Sequence, residues 1–271
     1  MSLPAAGLSR ARYGREILHA EWTKLRTLAS TGWLLLAAAV LTVAVSAAAD
    51  AAAACPSGGC QADPAKLSLS GVWAGQAVVA VIAVLAISGE YSTGMIRITL
   101  TAMPRRLTVL AAKAALIAGL VLAAGAAAVL ASVLAGRLIL SGHGFTPAHG
   151  YPPLSLGHGP VLRAACGSVL YLALIALLSF GVATAVRESA VAIGFVLGLL
   201  YLFPVVTSVI SNQHWQRHLE QIGPMTAGLD IQATANLRGL PLTPWEGLGV
   251  LALWAAGALT IGALAFRFRD A

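Results

Sequence analysis

Six long apolar stretches divide this chain of 271 residues, and they constrain its fold more than any other feature. A helix of roughly 20 residues crosses a hydrocarbon core of about 30 Å, and each stretch has about that length. The runs are continuous rather than alternating, which predicts helices. The predicted spans are Trp33–Ala49, Val72–Ser88, Val109–Ala135, Ala164–Val186, Ala190–Ile210 and Leu248–Phe266.

The composition leaves no room for a soluble domain. Hydrophobic residues make up 58% of the chain and charged residues 10%, whereas a soluble domain carries about 25% charged residues. The predicted fold class is therefore an all-α membrane protein with six transmembrane helices. Residues 1–32 form an N-terminal segment, and residues 33–271 form the six-span domain.

The basic residues predict the orientation of the chain. Twelve of the 17 Lys and Arg residues lie in the segments that share one side of the membrane with both termini. Cytoplasmic loops carry the excess of Lys and Arg, so we expect both termini to be cytoplasmic. Because these residues flank the spans, the net charge of +7 predicts contact with the lipid bilayer and no nucleic-acid partner. The basic N-terminus loosely resembles a secretory signal, but it is far longer than usual. We therefore expect Trp33–Ala49 to be retained as a span.

The N-terminal segment carries an amphipathic pattern over residues 12–29. Such a helix lies in the membrane interface, with Trp22 at headgroup depth. A positively charged anchor that only sets orientation is the alternative, and both roles are compatible. The residues assigned to the interfacial helix are Glu21, Trp22, Lys24 and Arg26.

Two cysteines stand in the first outer loop, as C-P-S-G-G-C from Cys55 to Cys60. The proline and the two glycines between them favour a tight turn, and the outer side is oxidising. We expect a small disulfide, with two free thiols in a flexible loop as the alternative. Zinc takes four ligands, so this pair alone predicts no metal site.

The loop of residues 211–246 has a partly amphipathic character, and we expect it to re-enter the membrane or lie on the outer leaflet. Its sequence H-W-Q-R-H places His214 and His218 one helical turn apart, a spacing that can bind a metal. No carboxylate or cysteine is spaced to complete a site. We interpret the two histidines as polar loop residues and predict no metal site.

Sequence motifs for several kinds of chemistry are absent. The chain has no G-x-x-x-x-G-K-[ST], no H-E-x-x-H and no G-x-S-x-G. We therefore predict no catalytic residues and no cofactor. Charges such as Asp50 and Arg187 stand at the ends of the spans, whereas ion-driven carriers keep some charge within the membrane. An ion-driven carrier and an intramembrane enzyme are both disfavoured, and the energy source is expected to be another protein.

The segment from Glu90 to Arg106 mixes apolar and polar residues, in the order E-Y-S-T-G-M-I-R-I-T-L-T-A-M-P-R-R. A polar connecting loop has no need of these apolar residues. A short helix that docks on a soluble partner does need them. Packing signals also occur within the spans, because Gly194-x-x-x-Gly198 and the small residues at every fourth position from Gly119 to Ala135 let helices approach closely.

Three short segments of the chain carry a family resemblance: A-E-W-T-K-L-R-T at 20–27, G-E-Y-S-T-G-M-I-R-I-T-L-T-A-M-P-R-R at 89–106 and I-G-P-M-T-A-G at 222–228. Together they resemble permeases of the ABC-2 transporter family from high-GC Gram-positive bacteria. The resemblance implies a membrane subunit beside a separate ABC ATPase subunit, with a homodimer or heterodimer of permease chains. It also implies that residues 90–108 hold a coupling helix that sits in a cleft of the ATPase.

Carried over residue by residue, the resemblance suggests a set of coupling residues, for which control of membrane topology is the alternative role. Gly94 would allow a tight backbone turn, and Arg97 could pair with acidic groups of the ATPase. The implied function is export of a lipophilic or amphipathic substrate across a bacterial cell membrane, with ATP hydrolysed by the partner. A non-transporting membrane sensor or immunity-type protein is the alternative. The coupling candidates are Glu90, Gly94, Arg97, Pro104, Arg105 and Arg106.

Overall fold

The computed structural model describes residues 29–55, 62–92, 106–146, 151 and 154–268. These ranges form helices and connecting turns, with no β-strand among them. Several predicted site residues lie outside the described ranges, and their roles stay predictions. They are Glu21, Trp22, Lys24, Arg26, Cys60, Gly94, Arg97, Pro104 and Arg105.

Six long helices and three short ones make up the described fold. The long helices are α1 (Ala29–Ala52), α3 (Val72–Ser92), α4 (Arg106–Gly142), α5 (Gly159–Val186), α6 (Ser189–Val209) and α9 (Pro244–Phe268). The short helices are α2 (Pro64–Ser68), α7 (Gln213–Ile222) and α8 (Pro224–Leu229), with 3₁₀ turns at Asp230–Gln232 and Leu237–Gly239.

The structure confirms the six predicted spans. Each predicted span corresponds to its own long helix. Five spans lie entirely within their helices, and the span Ala190–Ile210 runs one residue past the end of α6. All six helices are long and apolar enough to cross a membrane. The chain is therefore a multi-pass helical membrane protein. Helix α4 has 37 residues and a length of about 55 Å, which exceeds the hydrocarbon thickness of about 30 Å.

Helix α5 lies at the centre of the bundle. It packs against α3, α4, α6 and α9, and α1 packs against α3 and α4. Its buried side chains include Tyr171, Ile175 and Phe180. The outer helices leave large apolar side chains exposed, as lipid-facing surfaces require. Trp33, Leu138 and Leu253 are each at least 70% exposed.

The crossing of α5 and α9 depends on two glycines. A Cβ atom at Gly181 would lie 2.5 Å from the carbonyl carbon of Ala258 and 2.6 Å from the amide nitrogen of Leu259. A Cβ atom at Gly262 would lie 2.6 Å from the carbonyl oxygen of Gly181. The two backbones are therefore in direct contact, which is how small residues bring membrane helices together.

The glycines that the sequence singled out for packing have no such role within the described chain. Gly119, Gly194 and Gly198 have no other atom within 4 Å of an added Cβ. The surfaces of α4 and α6 at these glycines are therefore open within the described chain. Gly181 and Gly194 both stand in apolar helices, and only the fold decides which glycine meets a neighbouring helix.

Gly181→Ala should lower the stability of the folded chain by about 1–3 kcal/mol, because the methyl group has no space between the backbones of α5 and α9. Gly257→Ala on α9 is the matched control, because an added Cβ there meets no other atom within 4 Å. It should be neutral or stabilising by up to about 1 kcal/mol, since alanine favours helix. Thermal unfolding in detergent measures both. Equal melting temperatures for the two variants would contradict the proposed backbone contact.

Candidate functional site

Residues 223–235 fold back into the helix bundle, and we name them the cap segment. It comprises α8, the 3₁₀ turn at Asp230–Gln232 and the residues around them. Met225, Ala227 and Ile231 are buried among α3, α5, α6 and α9. The preceding helix α7 is exposed on all but one face. The loop of residues 211–246 therefore has a surface part and an inserted part.

Glycines make the space that the cap segment occupies. A Cβ atom at Gly167 of α5 would lie 2.0 Å from Cγ1 of Ile231, and one at Gly247 of α9 would lie 2.1 Å from the carbonyl oxygen of Ala227. Gly228 itself faces the ring of Tyr171, where a Cβ atom would come within 2.7 Å. The cap segment is seated against backbone and ring surfaces that larger residues would block.

A buried polar chain joins the cap segment to the bundle. The Tyr171 hydroxyl donates to Oε1 of Gln76, and Nε2 of Gln76 donates to Sδ of Met225 at 3.0 Å. The Gln76 side chain is completely buried. A buried amide that lost these partners would cost free energy, so the chain favours the seated position of Met225. Sequence reasoning missed this site, although a lone glutamine within an apolar span was the available signal.

A second set of hydrogen bonds joins the cap segment to the rest of the bundle, through Gln232 of the segment and Arg163 of α5. Nε2 of Gln232 donates to the carbonyl oxygen of Leu69 at 3.3 Å and to Oγ of Ser168 at 3.1 Å. Nη2 of Arg163 donates to the carbonyl oxygen of Ala233. These bonds tie the same short segment to the start of α5 and to the turn before α3. We call the end of the bundle that holds these contacts the cap end.

Asp63 lies in the connection between α1 and α2, and its side chain links this connection to the cap segment. Its carboxylate accepts hydrogen bonds from Oγ1 of Thr234 at 2.6 Å and from the amides of Thr234 and Ala235. It also caps α2 by accepting from the amides of Ala65 and Lys66, at 3.1 and 3.3 Å. One side chain therefore holds two loops that are 171 residues apart.

The cap segment also contains an ionisable group outside the spans. Burial raises the pKa of Asp230 to about 6, and the nearby positive charge of Lys66 opposes this shift. A raised folded-state pKa means that the folded chain binds this proton more tightly than the unfolded chain does. Its contribution to stability is therefore greatest at low pH and is lost as the pH rises through about 6.

Asp50 lies near the end of α1, as the sequence indicated, but its side chain is not exposed there. The residue is fully buried between α1, α2 and α4. Oδ1 accepts from Oγ of Ser68 at 3.1 Å, and Oδ2 has no hydrogen-bond partner among the described residues. Gly136 creates the space, because a Cβ atom there would lie 2.9 Å from Oδ2 of Asp50.

Lys113 on α4 is also buried, at 6% exposure. Asp50 stands near the end of its helix as the sequence indicated, but the sequence did not show that Asp50 and Lys113 are buried. Helix packing covers both side chains, which a hydropathy profile does not record. Buried ionisable groups in membrane helices are functional candidates by default, so Asp50 and Lys113 count in favour of an ion-driven carrier, against the sequence expectation.

Arg187 organises the end of the bundle opposite the cap end. It forms, with Glu188, the two-residue turn between α5 and α6. Its guanidinium lies 5.3 Å from the ring centroid of Tyr91 on α3. Nη2 donates to the carbonyl oxygen of Ala265 on α9 at 3.3 Å. One side chain thus contacts the ends of two other helices.

A second contact strengthens the same junction. Oγ of Ser189 donates to Oγ of Ser88 on α3 at 2.8 Å. The Glu188 carboxylate caps α6 by accepting from the amides of Ala190 and Val191, at 3.1 and 2.7 Å. The end of α3 is therefore bonded to the α5–α6 turn immediately before the segment of residues 93–105. We call this junction the inner joint, after the predicted orientation.

The predicted site residues within the described ranges lie at both ends. Glu90 belongs to the last turn of α3, and Arg106 begins α4, so they flank the proposed coupling segment. Cys55 is disulfide-bonded, and its amide donates to the carbonyl oxygen of His143 at 3.0 Å. Its predicted partner, Cys60, lies outside the described residues. Cys166 is free.

No protein-family model matches this chain, and no curated protein matches it significantly in sequence. The resemblance of three segments to ABC-2 permeases therefore has no support from a family match. Function has to be argued from the residues and the fold.

Asp63→Ala should release the cap segment from the connection between α1 and α2. Loss of several charge-assisted hydrogen bonds should lower stability by about 2–3 kcal/mol. Hydrogen exchange should become faster at the amides of Thr234 and Ala235. Glu246→Ala is the control, because the Glu246 carboxylate accepts from the amide of Thr243, immediately before α9. Unchanged exchange at residues 234 and 235 in Asp63→Ala would show that the carboxylate does not hold the segment.

Arg187→Gly and Arg187→Ala should differ in stability, and the sign of this difference tests for backbone strain at the α5–α6 turn. Both remove the guanidinium contacts, so both should unfold at lower temperature than the wild type. The backbone at Arg187 is left-handed, with φ of 66°, and glycine adopts this conformation without steric cost. We expect Arg187→Gly to be more stable than Arg187→Ala by about 1 kcal/mol. An alanine variant as stable as the glycine variant would argue against strain at this turn.

Proposed function

We propose that this chain is the membrane-spanning permease subunit of an ATP-binding cassette exporter in a bacterial cell membrane. ATP hydrolysis takes place in a separate subunit, since the chain has no phosphate-binding loop motif. The observation that carries the proposal is the inner joint. The helix that leads into the proposed coupling segment is bonded there to Ser189 at the start of α6, and it contacts Arg187 of the α5–α6 turn, which is bonded to α9.

The predicted orientation agrees with this role. The inner joint lies at the same end of the bundle as the C-terminus of α9 and the basic residues near it. The excess of Lys and Arg predicts that this end is cytoplasmic. A soluble ATPase could then reach residues 90–108, while the cap segment would face the outside.

Helix α3 provides a physical route between the two ends. It carries Ser88 and Tyr91 at the inner joint and Gln76 at the cap segment. A helix is stiff over this distance of about 20 Å. Displacement of the coupling segment would therefore move α3 and strain the hydrogen bond between Gln76 and Met225. We infer that this movement unseats the cap segment and opens an outward path.

The exposed surfaces of α4 and α6 favour an assembly that contains a second permease chain. An added Cβ at Gly119, Gly194 or Gly198 meets no other atom within 4 Å. These positions allow another helix to approach closely, as glycine does in membrane dimers. A path between two such chains would be lined by apolar and small side chains. This lining suits a lipophilic or amphipathic substrate.

Arg97→Glu should reduce co-purification with the proposed ATPase subunit, and should reduce ATP-dependent efflux from membrane vesicles. The reversed charge would repel acidic groups of the ATPase that the arginine is proposed to contact. We expect a loss of at least about tenfold in association, the effect of roughly 1.4 kcal/mol. Insertion should be normal, because one substitution changes the basic bias only slightly.

Arg10→Glu is the control, since it makes the same charge change outside the proposed contact. If both variants associate and transport like the wild type, Arg97 has no role in coupling. If the wild-type chain binds no ATPase, the exporter proposal fails, and the sensor or immunity-type alternative becomes the better explanation.

A further inference from the structure

Two histidine side chains converge on the surface of α7. Helix α7 begins after Asn212, whose side chain accepts from the His214 amide at 3.0 Å. His214 and His218 lie one turn apart, and both side chains are exposed. Their Nε2 atoms are 3.2 Å apart, and the two ring centroids are 4.4 Å apart. The two nitrogens are therefore within hydrogen-bond distance of each other at the helix surface, and the two ring planes are nearly perpendicular, at 89°.

This separation suits tetrahedral metal coordination. Zn–N bonds of about 2.0–2.1 Å to two atoms 3.2 Å apart require an N–Zn–N angle of about 100–106°. The ideal tetrahedral angle is about 109°, whereas a right angle at the metal would bring the nitrogens to within about 2.8–3.0 Å. Because both rings are exposed, rotation about their side-chain bonds can turn both lone pairs towards a shared ion, which then replaces the hydrogen bond between the two rings.

We propose that α7 binds one divalent transition-metal ion of the Zn²⁺ class through Nε2 of His214 and Nε2 of His218. Imidazole nitrogen is a preferred ligand for zinc and copper, and hard cations such as Mg²⁺ prefer oxygen. No group of three or more His, Cys, Asp or Glu side chains gathers within the described part of the chain. The described residues therefore supply two ligands to the ion, and water or an external ligand can fill its other positions.

The neighbouring side chains leave the two rings accessible. Glu220 accepts a hydrogen bond from Gln216 at 3.2 Å, and Gln221 donates to the carbonyl oxygen of Pro241 at 3.0 Å. Arg217 is exposed, so its charge can turn towards solvent. A metal bound across one turn would hold α7 helical up to Gly223, where the cap segment begins. This site does not depend on the chain being an exporter.

The test is titration of the purified full-length chain, without an affinity tag, with ZnCl₂ in a competition assay against a fluorescent chelator. His214→Gln and His218→Gln should each weaken this binding by about tenfold or more, because the helix holds the second ring at high effective concentration. Co²⁺ serves as a spectroscopic substitute for Zn²⁺. Its d–d absorption should show tetrahedral geometry in the wild type and lose that band in either variant.

Two controls separate this site from general histidine binding. His158→Gln removes an exposed histidine before α5 and should leave the α7 site unchanged. Combining Gln216→His with His218→Gln keeps the number of histidines but places them two residues apart, on different faces of the helix. This exchange should abolish the site while circular dichroism shows unchanged helix content. Zinc binding as tight in the exchange variant as in the wild type, or no more zinc on the wild type than on the His214→Gln, His218→Gln double variant, would overturn the proposal.

Discussion

Close backbone contact is the physical constraint on which this bundle depends. Lipid is as apolar as the side chains, so the hydrophobic effect does not draw membrane helices together as it does in water. Packing and hydrogen bonding must do so instead. The contact between Gly181 of α5 and the backbone of α9 provides such packing at the centre of the fold. Gly167 and Gly247 then open the space in which the cap segment lies.

Hydrogen bonds organise the two ends of the bundle around that packed centre. Asp63 and Gln76 hold the cap segment from two directions, and Arg187 gathers helix ends at the inner joint. Water is scarce between packed membrane helices, so a polar group there needs a protein partner or leaves a cost. This requirement explains why few polar residues determine so much of the arrangement. It also sets Asp50 apart, since one of its carboxylate oxygens has no partner in the described part of the chain.

Helix α3 connects the two organised ends. It contacts the cap segment through Gln76 and the inner joint through Ser88 and Tyr91. A rigid element with a specific contact at each end is the kind of structure that can transmit a displacement. The proposed coupling between ATPase and cap uses this property. The histidine pair on α7 lies next to the same cap segment but requires no part of that mechanism.

The sequence by itself determined the number of spans, because about 20 apolar residues are needed to cross a membrane whatever the tertiary contacts are. It also drew attention to the loop of residues 211–246, since amphipathic character is a local property. Only the tertiary structure decided which glycines meet a backbone. Gly181 does so and Gly194 does not, although both stand in apolar helices. It likewise decided that Asp50 is buried and that Gln76 reaches Met225, 149 residues away. Burial and long-range partners depend on which helix faces come together, and a linear pattern does not specify those faces.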